Sequence, residues 1–390
     1  MDNKKMLIFS TAYLPFVGGA EVAIKEITNK ISDVGFDMIT ARLRPDLPKF
    51  ENIGNVSVYR MGFGIPIIDK LLLPFWGAFY ALRLNAKNDY MNYWCMMVSW
   101  ASGAAYIANI LGRKTPIILT LQEGDSEKYL KTKWLGLIDL SWRLALKRSI
   151  VVTAISSYLA ERTKRLGYKK EVKIIPNGVN IEKFELRSMS YELREKIRKE
   201  LELEEKDIAL ITTSRLNMKN GVEDVIKALP KLSENIKFII LGTGELEKKL
   251  KKLARNLKVS KRVTFLGLVS FDDIPKYLKA CDIFIRPSLS EGMGNSFIEA
   301  MAAGIPVIGT PVGGIIDFLK DSPDNLEQVA TGYFCEPKNP ESIVKVVKKI
   351  INDPNKDKIV ENAKKMVTEK YNWDLIAKQM ENVIMLAHTK

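Results

Sequence analysis

Histidine is almost absent: the only one among 390 residues is His388, close to the carboxyl end. A histidine-based triad, a His-bearing zinc site and an imidazole general base are therefore not expected, and any chemistry has to be carried by carboxylates, amides, Lys, Arg and backbone groups. Cysteine is nearly as scarce. Cys95, Cys281 and Cys335 are odd in number, lack metal-type spacing and lie among apolar neighbours. They read as reduced core thiols of a cytosolic protein. The start, MDNKKMLIFSTAYLP, runs straight into a strand-like segment, so no signal peptide is expected. Short-period repeats and low-complexity stretches are missing too, which sets solenoid architectures aside. The longest uncharged run, residues 91–112, contains Asn92, Ser99, Ser102, Gly103 and Asn109 and reads as a buried strand followed by a core helix rather than a bilayer span.

What is present is ordinary globular material, 46% hydrophobic and 27% charged, in a chain long enough for two domains. The net charge of +14 is unevenly spread: residues 1–184 hold 26 Lys/Arg against 16 Asp/Glu, net +10, and the remainder nets +4. A basic first half attracts phosphorylated acceptors, an anionic membrane face or nucleic acid, or is simply a solvated basic surface. Within it, Ile65–Leu84 mixes Leu, Phe, Trp and Tyr with Lys70 and Arg83. The pattern fits a core-facing helix interrupted by Pro74, with an interfacial, membrane-resting helix as the alternative.

The chain opens as strand, glycine loop and helix: KKMLIFS, TAYLPFVGG, then Ala20, Ala23, Ile24, Ile27, Ile31 and Val34 at helical spacing up to Gly35. Strand-like FDMITARL, PIILTLQ, SIVVTAIS and VKIIPNGV alternate with helical stretches, among them Lys131–Arg148. After the charge-dense Glu185–Lys206, a second series follows: IALITTSRL, KFIILGTG, VTFLGLV, DIFIRPS, PVIGTP and GYFCEP. Two doubly wound parallel-sheet α/β domains are predicted, 1–184 and 207–371, joined by a linker with a surface helix over 185–206. Such domains place a ligand cleft between the carboxyl ends of their sheets.

The segment Ser290–Gly304, SEGMGNSFIEAMAAG, sets Glu291 and Glu299 around a glycine-rich turn that opens a helix. Backbone N–H groups and the positive helix end can hold a diphosphate, and each carboxylate can accept from a pair of sugar hydroxyls. The letters Ser296 and Glu299 also spell a capping box that needs no ligand. Gly18 and Gly19 of FVGGAE fit a phosphate-approaching loop or a tight turn before a helix, with Glu21 favouring the helix start.

Taken with SRL, LGTGE, TFLG, TPVGG, FVGGAE and IPNGVN in this order, the two glutamates make the chain resemble the retaining GT-B-fold glycosyltransferases of family 4, the group 1 glycosyl transferases. The resemblance implies two Rossmann-like domains facing across a cleft, an amino-terminal acceptor domain and a carboxyl-terminal donor domain. The terminal helix, 372–390, would pack back on the first and form part of the hinge. It implies that Glu299 binds the ribose hydroxyls and Glu291 the transferred sugar, with Met293, Gly294, Asn295 and Ser296 presenting backbone groups. Arg215 resembles the diphosphate-binding arginine. Its companion is assigned to Lys219, although Asn220 stands directly before Gly221 where the family often has Lys. Gly18 and Gly19 would approach the donor phosphates or the acceptor, Gly242, Gly244 and Gly267 would line the donor, and Gly313 and Gly314 would serve a turn and a close approach to the sugar site. At TLQEGD the family commonly has His, and Gln122 stands there as a non-titrating contact to sugar or acceptor; Glu123 and Asp125 read as carboxylates of a solvated loop, with orientation of the acceptor as the alternative.

The implied activity is transfer of a hexose-type sugar, of the mannose, glucose or N-acetylglucosamine class, from a UDP- or GDP-sugar to a hydroxyl acceptor in glycan or glycolipid assembly. The implied enzyme needs no metal or further cofactor, retains anomeric configuration, and resides in the cytoplasm or at its membrane face. The acceptor is expected to be lipid-linked or phosphorylated, and no specific nucleic-acid partner is expected. A nucleotide-sugar epimerase or hydrolase on the same fold, or a non-catalytic basic membrane- or nucleic-acid-binding module, are the competing readings.

Overall fold

A computed structural model describes residues 4–125, 137–185, 191–321 and 329–389, which form two compact units, 1–177 with 373–390, and 178–372. Among the described residues the first unit is built on eight strands: β1 Lys5–Phe9, β2 Gly35–Ala41, β3 Phe50–Ile53, β4 Val56–Met61, β5 Tyr90–Met96, β6 Ile117–Leu121, β7 Val151–Ala154 and β8 Val172–Ile174. Their order is β3-β4-β2-β1-β5-β6-β7-β8, parallel except for the β3–β4 pair. The central strands read as continuous apolar runs because helices cover both faces of the sheet. All seven residues of β5 are buried.

The terminal helix Trp373–His388 belongs to this unit, and its Ile376, Met380 and Ile384 share a core with Met6, Ile8 and Trp94. A buried Asn92 amide donates to the Ile384 carbonyl at 2.8 Å. Three details differ from the sequence expectation. The first helix, Gly19–Lys30, ends short of Gly35 because Ile31 is already extended. A hairpin, β3–β4, turns through Gly54 at φ +57, a conformation that glycine adopts readily. And the helix Pro66–Asn85 runs through Pro74 without interruption. The helix expected around Lys131–Arg148 is described from Leu137, and its first part lies outside the described residues.

Among the described residues the second unit has six strands, β9 Ile208–Thr213, β10 Ile236–Leu241, β11 Val263–Gly267, β12 Ile283–Ile285, β13 Val307–Gly309 and β14 Tyr333–Phe334. All are parallel, in the order β11-β10-β9-β12-β13-β14. The charge-dense stretch supplies this unit with the helix Tyr191–Glu200, where buried Arg198 reaches the Asp207 carbonyl at 2.7 Å and Asp282 at 3.3 Å. Cys95, Cys281 and Cys335 are free and buried, and burial pushes their thiols up, so none is a ready nucleophile.

Candidate active site

In the second unit the strand order reverses between β9 and β12, and loops leaving the carboxyl ends of such neighbours open a crevice. Strand β9 runs into Ser214 and Arg215 and a single 3-10 turn, Met218–Asn220. Strand β12 runs into Arg286, then Glu291, then the helix Asn295–Ala303. The two loops interlock: Leu289 N–H donates to the Lys219 carbonyl at 2.6 Å. Gly221, at φ +68, lies so close that a Cβ there would stand 2.0 Å from the Pro287 carbonyl oxygen.

Arg286 is the organising residue, and sequence reasoning passed over it. It is 7% exposed, donates from Nη1 to Ser296 Oγ and from Nη2 to Glu291 Oε2, both at 2.7 Å, and stacks 4.6 Å from the Phe297 ring centroid. A planar, permanently charged fork can serve a hydroxyl, a carboxylate and an aromatic face together. Its signal was legible: in DIFIRPS a cation ends an apolar strand. Gly294, at φ +100, leaves this guanidinium room, since a Cβ there would lie 3.0 Å from Arg286 Nη2.

The backbone of Glu291 is held from the other side. Gly314 N–H donates to its carbonyl at 3.3 Å, and a Cβ on Gly313 would stand 1.8 Å from that oxygen. The TPVGG turn and the FIRPS strand end thus fix both ends of one carboxylate-bearing residue.

Glu299 sits within the helix and is 8% exposed. Desolvation pushes its carboxyl up to about 7, partly opposed by the positive charge of Arg286. The capping box does not form: the helix is entered from Gly294 in the left-handed region, so Ser296 lies inside it and its oxygen accepts from Arg286 instead. Because arginine only donates, the Ser296 proton remains available to an acceptor elsewhere. In β9 and the segments that follow β9 and β12, the hydroxyls of Thr212, Thr213, Ser214 and Ser288 and Nε of Arg286 are buried and have no hydrogen-bond partner among the described residues.

The remaining expected residues separate clearly. Arg215 is exposed at the end of β9 and Lys219 is half-buried in the adjoining turn. Asn220 is buried, its amide donating to the Arg215 carbonyl at 2.6 Å, so it shapes the loop from inside while the cation stands one residue earlier. Gly242 and Gly244 are demanded by backbone packing: Cβ atoms there would lie 2.0 Å from the Ser214 oxygen and 2.4 Å from the Leu216 oxygen. Gly267 has φ +71 with open space around it. Met293 is buried, and Asn295 begins the helix.

Gly18, Gly19 and Gln122 lie in the first unit. Gly18 is extended and precedes the helix that Gly19 begins, after β1. Gln122 follows β6 and forms a reciprocal amide pair with buried Asn177 of IPNGVN, at 3.1 and 3.0 Å. Glu123 is not in a solvated loop as expected: its carboxylate accepts the Val98 N–H at 2.6 Å and the Gln122 N–H at 2.9 Å, and burial pushes its pKa up.

Two family models match, Glycosyltransferase Family 4 over residues 17–183 and Glycosyl transferases group 1 over 193–383. An uncharacterized glycosyltransferase of Methanocaldococcus jannaschii is 29% identical, with 98% of each chain covered. The N-acetyl-alpha-D-glucosaminyl L-malate synthase of Bacillus anthracis is 27% identical, over 97% of this chain and 96% of that protein. Among solved structures, Anabaena HepE in complex with UDP and glucose superimposes with a TM-score of 0.78 at 20% identity, over 98% of this chain and all of the other. That likeness establishes the fold as GT-B. With both family models matched in order along nearly the whole length, the chain belongs to the family 4, group 1 glycosyltransferases.

Proposed function

We propose that this glycosyltransferase moves a hexose-type sugar from a UDP- or GDP-sugar to a hydroxyl acceptor, without a metal ion and with retention of anomeric configuration. The observation that carries the reading is Glu291 paired with Arg286 just before the helix Asn295–Ala303, with a desolvated Glu299 inside that helix that senses the charge of the same Arg286. Sugar-directed names among the relatives, and a fold neighbour solved with UDP and glucose, support the substrate class.

In this reading Glu299 accepts from the ribose hydroxyls and Glu291, through the oxygen that Arg286 leaves open, from hydroxyls of the transferred sugar. Met293, Gly294, Asn295 and Ser296 offer backbone groups, and the helix N-terminus faces the diphosphate. Arg215 and Lys219 supply the positive charge that stabilises the departing nucleoside diphosphate as the glycosidic bond breaks. An oxygen of that diphosphate takes the acceptor proton on the same face of the sugar, and the acceptor oxygen bonds to the anomeric carbon. Gly18 and Gly19 approach the donor or acceptor by backbone, and Gln122 contributes through the amide positions its pairing with Asn177 leaves over. An acceptor presented at a membrane surface fits the basic first half.

The test is a calorimetric titration with UDP, GDP, ADP and their common sugar conjugates, in parallel with Glu299→Ala. Selective binding of one nucleotide, lost in the variant, is expected, and unchanged affinity in the variant overturns the role of Glu299. Release of nucleoside diphosphate that depends on an acceptor separates transfer from epimerisation, which converts the donor alone.

A further inference from the structure

A helix lying on a sheet is expected to be apolar toward the sheet and polar toward water. The helix Pro66–Asn85 breaks that rule. Its inner face is conventional, with Leu73, Gly77, Ala81 and Leu84 buried, and Gly77 tight against Ile39 and Ala104. Its outer face carries Ile67, Leu71, Phe75 and Phe79 at i, i+4, i+8 and i+12, exposed by 74%, 46%, 65% and 61%. No charge interrupts the helix between Lys70 and Arg83. At four-residue spacing the stripe is continuous and roughly 18 Å long.

The surroundings extend and frame it. The approach loop is held open by Asp69, whose buried carboxylate accepts the N–H groups of Phe63 and Gly64, each at 2.8 Å. This presents Phe63 at 60% exposure, edge-on to half-exposed Trp76 at 5.1 Å. On the neighbouring helix Trp100–Leu111, Ile110 and Leu111 are 56% and 70% exposed. Gly112, next along, packs against Leu82. An exposed apolar surface of this extent marks an interaction site.

Charge identifies the occupant. Residues 70–114 hold five basic groups, Lys70, Arg83, Lys87, Arg113 and Lys114, and one acid, Asp89, which pairs with Arg113. Arg83 continues the stripe by one more turn, with its guanidinium 5.7 Å from the Phe79 ring centroid. A two-fold contact between copies would bring these like charges together. An apolar stripe ended by cations, with aromatic rings at its entry, instead matches a bilayer whose headgroups are anionic. Among the described residues no helix is long and apolar enough to cross a membrane, so the geometry is one of lying in the interface. We propose that the first unit docks on anionic phospholipid bilayers through the Ile67–Leu71–Phe75–Phe79 face, with Arg83, Lys87 and Lys114 on the headgroups.

The experiment is co-sedimentation of the whole protein with vesicles of phosphatidylcholine alone or mixed equally with phosphatidylglycerol. Its readouts do not involve sugar transfer, so it stands or falls apart from the proposed function. The intact protein is expected to sediment with the mixed vesicles. Phe75→Ser/Phe79→Ser should weaken this by about tenfold or more with thermal unfolding unchanged, and Arg83→Glu/Lys87→Glu should lose the preference for phosphatidylglycerol. Bromine-labelled acyl chains should quench tryptophan fluorescence of the unaltered protein, less so in Trp76→Phe, which keeps the proposal testable if a serine variant unfolds. Failure to sediment with mixed vesicles, sedimentation undiminished in the folded serine variant, or absence of quenching overturns it. So does a dimer in solution that the serine variant abolishes, because a second copy is then the occupant.

Discussion

Arg286 and Glu291 share a hydrogen bond of 2.7 Å from Nη2 to Oε2, and the same guanidinium holds Ser296 at 2.7 Å. The Glu291 carboxylate is therefore oriented, with one oxygen committed. The cation that orients it also moderates the desolvated Glu299. Replacing Arg286 by Met should lower kcat for sugar transfer by about a hundredfold. Affinity for the nucleoside diphosphate without its sugar should change far less, as titration would show. Arg286→Lys should recover only part, since an ammonium cannot serve both partners in the plane of the fork.

Protonation of Glu299 should be visible in binding. In its proposed role at the ribose, a carboxyl raised to about 7 must lose its proton to accept from two hydroxyls. Nucleotide affinity should fall as pH drops through 7, with proton uptake by buffer detected as a dependence of calorimetric heat on buffer ionisation enthalpy. Glu299→Gln should flatten that pH dependence while binding weakly throughout.

The same shift has a stability consequence of opposite benefit. The unfolded carboxyl ionises near its ordinary 4.5 and the folded one near 7, so the folded state binds more protons in between and stability falls as pH rises through that window. The ligand-free Glu299→Gln variant should therefore gain thermal stability over the parent between pH 5 and pH 8, by a few degrees in Tm.

Two glycines should respond differently to alanine. Gly313 is at φ +57 with the Glu291 oxygen 1.8 Å from any added Cβ, whereas Gly267 is at φ +71 with nothing near. Gly267→Ala should cost about 1 kcal/mol from backbone strain alone. Gly313→Ala must also shift the Glu291 backbone, and should reduce activity at least tenfold even where the protein remains folded. Denaturant unfolding and single-turnover assays on both variants check this.

In the first unit, the Gln122–Asn177 amide pair should be energetically coupled. A double-mutant cycle with Gln122→Ala and Asn177→Ala should return an interaction of about 1 kcal/mol in unfolding free energy. Additive effects would mean that each amide serves another partner equally well.

Much of the architecture was legible because the signals are local. Alternating apolar runs and helical spacings announce two parallel sheets, and the glutamate spacing with its glycines marks one helix entrance. The β3–β4 hairpin escaped notice because its strands are only four and six residues long and one is partly exposed. Arg286 announced itself only as a cation ending an apolar strand, and nothing local says which carboxylate it meets. Gln122 and Asn177 lie 55 residues apart and pair only because parallel β6 and β8, with β7 between them, have their carboxyl ends on the same side of the sheet.

By itself the sequence determined the fold class, the absence of imidazole chemistry outside residue 388, the basic first half and the pair of carboxylates with seven residues between them. These follow from composition and short-range periodicity. Only the tertiary structure decided that Ser296 accepts from Arg286 instead of capping a helix, that Glu299 is desolvated enough to hold its proton near neutrality, and that Ile67, Leu71, Phe75 and Phe79 face outward. Burial and pairing are properties of what the rest of the chain brings alongside, and a helix apolar on every side does not say which side the sheet will cover.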